Sequence, residues 1–563
     1  MCLVALRPGE RIYFSGAVLL RSVKGTVAVF GSLLSPEIGT NFHPVYSPKS
    51  NSLLYIEHIR GTSEDSGSSM DRNDADGLQS TLDSLCASLS PEYLSDEETA
   101  VFAIKDMKDT NIGAIEKCAP VYKGMFVDEE TSVESSCVGV DLFCPILDPR
   151  PTLPLLRIPE SWKESKNYII EKQRAPVILV TGGRNVGKST YAKYLVNSML
   201  NRYPSVGYLD CDLSVPEFTP YGAVSVRLLT SPLLGPSFTH QLRDFSSNPQ
   251  SKSVFLGARS ARFDPDSYLE ALIHLHHVFT SNQPADSHSP LIIDADGWIK
   301  GMGFDLLVHF INAISPDFTV CLEPPPSTVG SEYAGIVFSN EIEQSMDPGA
   351  SAILSVSSTM DVYSRSKLQA ADLRTLSLHA YFSQVSVDPS KSVDGHKLPP
   401  FWDFDTPLTF QKAFSVDWDD SISVMVLHGS VPRTEILYAL NATLVALVST
   451  TDALKTHVMD SISVETSELL GYGFVKSIRK QVDEEGGPPT ISFQIITPLS
   501  SVILEKVNVL VRGSGMDFPS VLYLEGQNRR WDQVAYSSDV DIEGVVGARS
   551  KQMRYNLPRR RLQ

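Results

Sequence analysis

The residues from Gly182 to Ser189 follow the spacing G-x-x-x-x-G-K-[ST], as Gly182, Gly183, Arg184, Asn185, Val186, Gly187, Lys188 and Ser189, with Thr190 next. This set suits phosphate. Glycines let the backbone wrap an anion with its N–H groups, the lysine ammonium reaches the β- and γ-phosphates, and the serine hydroxyl offers an oxygen to Mg²⁺. About twenty residues further on, Val206-Gly-Tyr-Leu-Asp210-Cys-Asp212 supplies two carboxylates. Phosphoryl transfer needs a carboxylate near the metal, where a neighbouring strand ends. As alternate residues of an extended chain the two point to opposite sides. One is therefore expected at the nucleotide and the other in a structural role. Asp212 is the expected metal ligand and activator of the attacking hydroxyl, and Asp210 is the second candidate.

The flanking elements suit such a cradle. The apolar run Val177 to Val180 predicts a strand before it, and Tyr191 to Leu200 predicts an amphipathic helix after it. From about 165 to 395, strands at 206–210, 290–294 and 317–322 alternate with helices at 266–280, 304–314 and 367–384. That alternation predicts an α/β fold with a parallel sheet and flanking helices. Before it, short alternating segments from residue 11 to 57, and again at 99–104 and 138–143, predict a β domain over 1–150. After Pro399, strand-like runs at 422–427, 442–448, 472–475, 491–496 and 507–511 predict a second β-rich domain over 396–563. The expected architecture is multidomain, with a P-loop α/β domain over 151–395 between two β domains.

Charge is unevenly spread. The 563 residues carry a net charge of −18, of which Gly61 to Val138 contributes −12, from 17 acidic and 5 basic residues. The polar stretch 61–98 within it reads as a disordered insertion. The C-terminus is basic, with Lys551, Arg554 and Arg559 to Arg561, which suits either a solvated end or a nuclear or nucleolar signal. An overall acidic chain does not exclude an RNA substrate, because a local groove decides that. Seven scattered cysteines without a C-x-x-C argue for a reducing compartment and against a structural zinc. No apolar run approaches ~18 residues, so no membrane span is expected, and the N-terminal apolar run is too short for a signal peptide. His274, His276 and His277 share a predicted helix but lack metal-ligand spacing.

The base-reading N-K-x-D of GTPases and the L-S-G-G-Q of transporter ATPases are both absent. The chain has instead Glu217-Phe-Thr-Pro-Tyr-Gly222, Leu234-Gly-Pro-Ser-Phe-Thr-His-Gln241, Asp294-Ala-Asp-Gly-Trp-Ile-Lys-Gly301, and Tyr363-Ser-Arg-Ser-Lys367 ahead of Asp372-Leu-Arg374. Together these resemble the polynucleotide 5′-hydroxyl kinases, in the nucleolar branch that works in ribosomal RNA processing. The resemblance extends to both ends, through Gly25 to Gly31, Val45 to Pro48, Ala439 to Leu447, Leu470 to Val475 and Thr497-Pro498.

The resemblance implies ATP and Mg²⁺ as cofactors, held by Gly182 to Thr190, with Lys188 on the phosphates and Ser189 and Asp212 on the metal. It implies a clasp at Gly297-Trp298 and Lys300-Gly301 that packs by the P-loop and keeps Lys188 productive, and lid arginines at Arg365 and Arg374. The implied substrate is RNA with a 5′-hydroxyl end, from pre-ribosomal RNA in the nucleus and nucleolus, beside a nucleolar endonuclease and with no membrane. Two places depart from the family. Ser214-Val215 replaces the usual Gly-Gln, and Asp294-Ala295-Asp296 replaces the usual Asn-Thr pair, bringing carboxylates toward the phosphates. These departures keep a rival reading in view, an ATP-binding scaffold that stabilises a nuclease without transferring phosphate. A further rival, an ATPase that remodels RNA, finds no helicase-type motif set.

Overall fold

The computed structural model describes residues 1–36, 42–59, 99–126, 140–146, 153–172, 174–243, 245, 248–284, 288–323, 338–359, 368–385, 400–418, 422–429, 431–452, 457–481, 490–516 and 518–519. The expected disordered insertion at 61–98, Arg365 and the basic tail lie outside the described residues.

The central sheet has seven strands: β1 (Val177–Gly182), β2 (Val206–Asp210), β3 (Ala223–Leu229), β4 (Lys252–Phe255), β5 (Leu291–Asp294), β6 (Phe318–Glu323) and β7 (Ala352–Ser357). Their order is β4-β3-β2-β5-β1-β6-β7. The run from β2 to β7 is parallel. At the other end β3 and β4 are antiparallel, which corrects the expected parallel sheet to a mixed one. The cause is local. Parallel neighbours need a crossover, usually a helix, whereas the connection from β2 to β3, residues 211–222, contains none.

Six helices accompany these strands: α1 (Glu160–Ile170), α2 (Lys188–Leu200), α3 (Pro265–Ser281), α4 (Met302–Ile314), α5 (Phe338–Ser345) and α6 (Ala370–Phe382). Strand residues alternate between two cores. Ile178, Val180, Tyr208 and Ile292 pack with Trp162 of α1 and with Tyr191 and Leu195 of α2. Leu179, Leu209 and Ile293 pack with Leu272 and Leu275 of α3 and with Leu307 and Phe310 of α4. A sheet covered on both faces explains why these strands read as continuous apolar runs.

The strands from Cys2 to Ile146 form an eight-stranded sheet around one 14-residue strand, Arg11–Lys24. Gly16 splits that strand into two in the sequence. It is continuous in the structure and turns at Gly16, whose φ of 143° leaves no room for a Cβ against the Leu142 carbonyl. The strand expected at 138–143 is instead Phe143–Ile146, set by pairing with Tyr13 to Gly16. Helix α2 is shared by this sheet and the central one. The buried Asn197 donates to the carbonyls of Phe30 and Leu233, 3.0 Å each, and accepts from the Leu233 N–H at 2.7 Å.

Six strands between Phe414 and Arg512 form a third sheet. It meets the loop between β2 and β3 through buried Tyr472. The Tyr472 hydroxyl lies 3.0 Å from the Pro220 carbonyl and 3.2 Å from that of Tyr221, and its N–H donates to the Tyr381 hydroxyl of α6 at 2.9 Å.

Candidate active site

Strand β1 delivers the phosphate loop and α2 receives it. Gly187, at φ 99°, turns the chain into α2 as its N-cap, and Asn185 also has a positive φ of 61°. Gly182 lets the loop leave β1 close beside β6, because a Cβ there would stand 2.8 Å from the Leu322 carbonyl oxygen. The result is a run of backbone N–H groups at a helix N-terminus, which attracts anions. Val186 is buried below the loop, and Arg184 and Asn185 are exposed on it. Lys188 Nζ donates to the Gly183 carbonyl at 2.9 Å, folding the ammonium back over the loop.

The clasp expected around Trp298 meets the P-loop through its glycine. A Cβ on Gly297 would fall 3.1 Å from Lys188 Nζ and 2.7 Å from Arg184 Cγ. The Trp298 ring instead lies under the Arg262 guanidinium, 4.8 Å from ring centre to Cζ, and packs at the start of α4 against Gly303.

Four carboxylates gather at the ends of β2 and β5. Asp210 and Asp294 are register partners, and Asp294 sits beside Val180 of β1. Asp210 is buried, and both of its oxygens are engaged by backbone: Oδ1 accepts from the Asp212 N–H at 3.1 Å and Oδ2 from the Glu217 N–H at 2.6 Å. Burial, then Asp294, pushes its pKa well above the carboxylate range. Its geometry is that of a strap holding the loop. Asp212, half-buried, accepts through Oδ1 from the N–H groups of Ser214 (2.7 Å) and Val215 (3.3 Å). Those two residues hold Asp212 by backbone, so this support does not depend on their side chains. Asp294 is pushed up to about 6, chiefly by burial, while the Lys188 ammonium and the Ser189 hydroxyl pull it back. Its Oδ2 accepts from the Tyr208 hydroxyl at 3.0 Å, and Oδ1 is buried without a hydrogen-bond partner. Asp296 is raised by burial and by Asp212, and caps the clasp by accepting from the Trp298 N–H at 2.7 Å.

Arg374, on α6, reaches the same loop. Its Nη1 donates to Ser214 Oγ at 3.1 Å, and the guanidinium lies 5.8 Å from the Tyr221 ring centre. Lys188, Ser189, Asp210, Asp212 and Arg374 thus converge on the C-terminal ends of β1, β2 and β5. Thr190 follows Ser189 in the first turn of α2.

Sequence reasoning missed a buried ion cluster under the Asp212 loop. Lys193 Nζ bonds Glu217 Oε1 at 3.3 Å and the Gly235 carbonyl at 3.1 Å, and His240 Nδ1 lies 2.6 Å from the same Glu217 oxygen. Burial works to raise Glu217, but Lys193 and His240 outweigh it and hold its pKa below the usual value. The available signal was Lys193 itself, a charge among the apolar residues of α2 that face the cores. Among the described residues, no three His, Cys, Asp or Glu side chains form a metal cage, and the helix histidines are no exception.

Two family profiles match. One, described as the P-loop of mRNA cleavage and polyadenylation factor CLP1, covers residues 182–384, and the other, the N-terminal domain of polynucleotide 5′-hydroxyl-kinase NOL9, covers 1–112. Polynucleotide 5′-hydroxyl-kinase NOL9 of Danio rerio is 29% identical over 97% of this chain and 75% of its own length. The corresponding figures for polynucleotide 5′-hydroxyl-kinase GRC3 of Cryptococcus neoformans are 24%, 99% and 76%. NOL9 of Arabidopsis thaliana is 29% identical over 63% of this chain and 90% of its own. In shape, a chain of the solved wild-type Clp1p–Pcf11p complex superposes with a TM-score of 0.50 over 91% of this chain and 98% of that one, at 15% identity. With the phosphate loop, the clasp glycine and the Asp212 loop joined in one site, the chain is similar over nearly its whole length to the polynucleotide 5′-hydroxyl kinases NOL9 and GRC3.

Proposed function

We propose that this chain transfers the γ-phosphoryl group of ATP to the 5′-hydroxyl end of RNA. The observation that carries the reading is the convergence of Lys188, Ser189 and Asp212 on one cluster of strand ends, with Arg374 reaching it from α6. The N–H groups at the start of α2 bind the phosphates, and Lys188 exchanges the Gly183 carbonyl for them. Asp212 Oδ1 is pinned by two N–H groups, which orients the carboxylate to accept the proton of the acceptor hydroxyl. Arg374, and Arg365 by resemblance, neutralise charge on the group in transfer. Catalysis of this kind is mostly positioning and electrostatics.

The residues present fit Mg²⁺. The buried, unpartnered Asp294 Oδ1 beside Ser189 is an oxygen suited to a cation, and Mg²⁺ usually takes one or two carboxylates together with substrate phosphates. Ser189 and Asp212 would hold the ion, which when bound neutralises phosphate charge. We further infer that the chain divides into units over 1–150, 151–395 and 396–563. The reading also includes pre-ribosomal RNA as substrate, a nucleolar site of action and an endonuclease partner that leaves the 5′-hydroxyl.

The test is transfer of labelled γ-phosphate from ATP to a 5′-hydroxyl RNA oligonucleotide. Wild type labels the RNA, and Lys188→Ala and Asp212→Ala each lose at least about a hundredfold in rate. Binding of ATP without labelling of any end, even with the nuclease added, would instead support the scaffold reading.

A further inference from the structure

The clasp comes to the phosphate loop from β5, on one side of β1. From the other side, beyond β6, comes the end of β7, with Ser357 followed by Ser358 and Thr359. This stretch is tied down at each step. The Ser357 N–H donates to Ser161 Oγ at 3.1 Å, and the Ser357 carbonyl accepts from the Trp162 indole N–H at 2.8 Å, both on α1. The Ser358 N–H donates to the Glu323 carbonyl of β6 at 2.9 Å, and the Ser358 hydroxyl donates to the Val186 carbonyl of the phosphate loop at 2.8 Å. Thr359 is thereby delivered to the N-terminus of α2. A Cβ on Gly187 would stand 2.7 Å from Thr359 Oγ1. Thr359 is half-buried, and among the described residues its hydroxyl has no hydrogen-bond partner.

The Ser358 bond sets the direction of a peptide. In a trans peptide the C=O and N–H point opposite ways, and none of the described peptide bonds is cis. With the Val186 carbonyl turned to Ser358, the Gly187 N–H points away from β7. The first bond within α2 runs from the Tyr191 N–H to the Gly187 carbonyl, so the N–H groups of Lys188, Ser189 and Thr190 have no partner in the helix. A phosphate seated there meets all of these donors. A hydroxyl fixed beside the same N-cap adds one more, and hydrogen bonds to an ionised acceptor are about twice as strong as neutral ones. Filling the space beside a glycine, by contrast, needs no hydroxyl.

Building on the reading of this loop as the ATP site, we propose that Thr359 is a nucleotide-binding residue whose hydroxyl donates to the phosphate at the start of α2. Ser358 is the positioning residue that aims the Gly187 N–H at that phosphate. The loop backbone cradles the α- and β-phosphates, so the contact serves nucleoside diphosphates and triphosphates alike. The γ-phosphate is left to Lys188.

The full chain is titrated calorimetrically with ADP and with ATP in magnesium buffer. Thr359→Val keeps the side-chain volume, removes the hydroxyl, and weakens both nucleotides by the same factor, about tenfold. Thr359→Ser keeps the hydroxyl and binds as wild type does. Ser358→Ala weakens both nucleotides, and Ser358→Thr recovers them. The Thr359 variants melt with wild type in the absence of nucleotide. In the transfer assay Thr359→Val raises KM for ATP, with kcat largely kept and KM for RNA unchanged. Wild-type ADP affinity in Thr359→Val overturns the proposal. An equal loss in Thr359→Ser also overturns it, since the contact is then one of shape. The two readings fail separately. A chain whose ADP affinity depends on Thr359 yet labels no RNA end refutes the kinase reading and keeps this site. Transfer that is indifferent to Thr359→Val at every ATP concentration does the reverse.

Discussion

Asp294 ends β5 with its carboxyl buried, and its surroundings show what that burial costs. It is buried between Tyr208 and the first residues of α2, and its pKa rises from 3.8 to about 6. Well below its unfolded pKa of 3.8, at about pH 2, it is protonated in both folded and unfolded chains and leaves stability unchanged. As pH climbs, the unfolded chain ionises first, so stability falls until about pH 6 and then levels. Asp294→Asn, melted without nucleotide or divalent cation, should gain up to about 3 kcal/mol at pH 7, and the gain should shrink to well under about 1 kcal/mol by pH 4. A gain that stayed flat across that range would mean packing, not charge, is responsible. Glu217 is the opposite case. Its ionised form is held by Lys193 and His240, so Glu217→Gln leaves an ammonium buried without its partner. Breaking such a pair costs about 3–5 kcal/mol, and because the Glu217 N–H also holds Asp210, kinase activity should fall along with the melting temperature.

Among the elements, the contact between clasp and phosphate loop is the closest. Gly297→Ala puts a methyl against Lys188 Nζ and the Arg184 side chain, both of which can swing aside, so the fold should survive with a normal melting temperature. Displacing Lys188 should nevertheless cost about tenfold or more in kcat, read by the transfer assay, and a fully active variant would show that the clasp does not constrain the lysine. The phosphate loop was legible because its chemistry lies in consecutive residues between a clear strand and a clear helix. The Glu217 cluster was not, because Lys193, Glu217 and His240 meet only after β2 and β3 are laid side by side. Strand β3 was overlooked for a related reason. It carries Arg227, whose charge argues against a buried strand until its guanidinium reaches Ser253 Oγ of β4 and the Phe245 carbonyl. Strand β7 lies on the open edge of the sheet, and its half-exposed residues dilute the apolar signal.

Across the whole molecule, shared hydrophobic cores join the eight-stranded and six-stranded sheets to the central one, and polar side chains tie the same junctions. Asn197 bonds the N-terminal sheet and the stretch after β3 to the helix that carries Lys188. Asn197→Ala should cost about 2 kcal/mol or more in chemical denaturation, since it strands buried backbone groups. That two-thirds of the excess negative charge falls between residues 61 and 138 leaves the rest of the chain close to balance, which is why a negative total gave no guide to the arginine beside the Asp212 loop. Tyr472 holds the junction with the third sheet, and its consequence lies in time rather than in space. The Asp212 loop is tied at both ends by β2 and β3 and from behind by the Tyr472 hydroxyl, so its amide protons should exchange with deuterium only when the third sheet lets go. Those of Gly183 to Asn185, with no such backing, should exchange early. Tyr472→Phe should bring the amides of Leu213 and Glu217 forward toward the fast class while the phosphate loop keeps its pace. The enzyme would then present a quick surface to the nucleotide and a slow one to the strand that receives the phosphate.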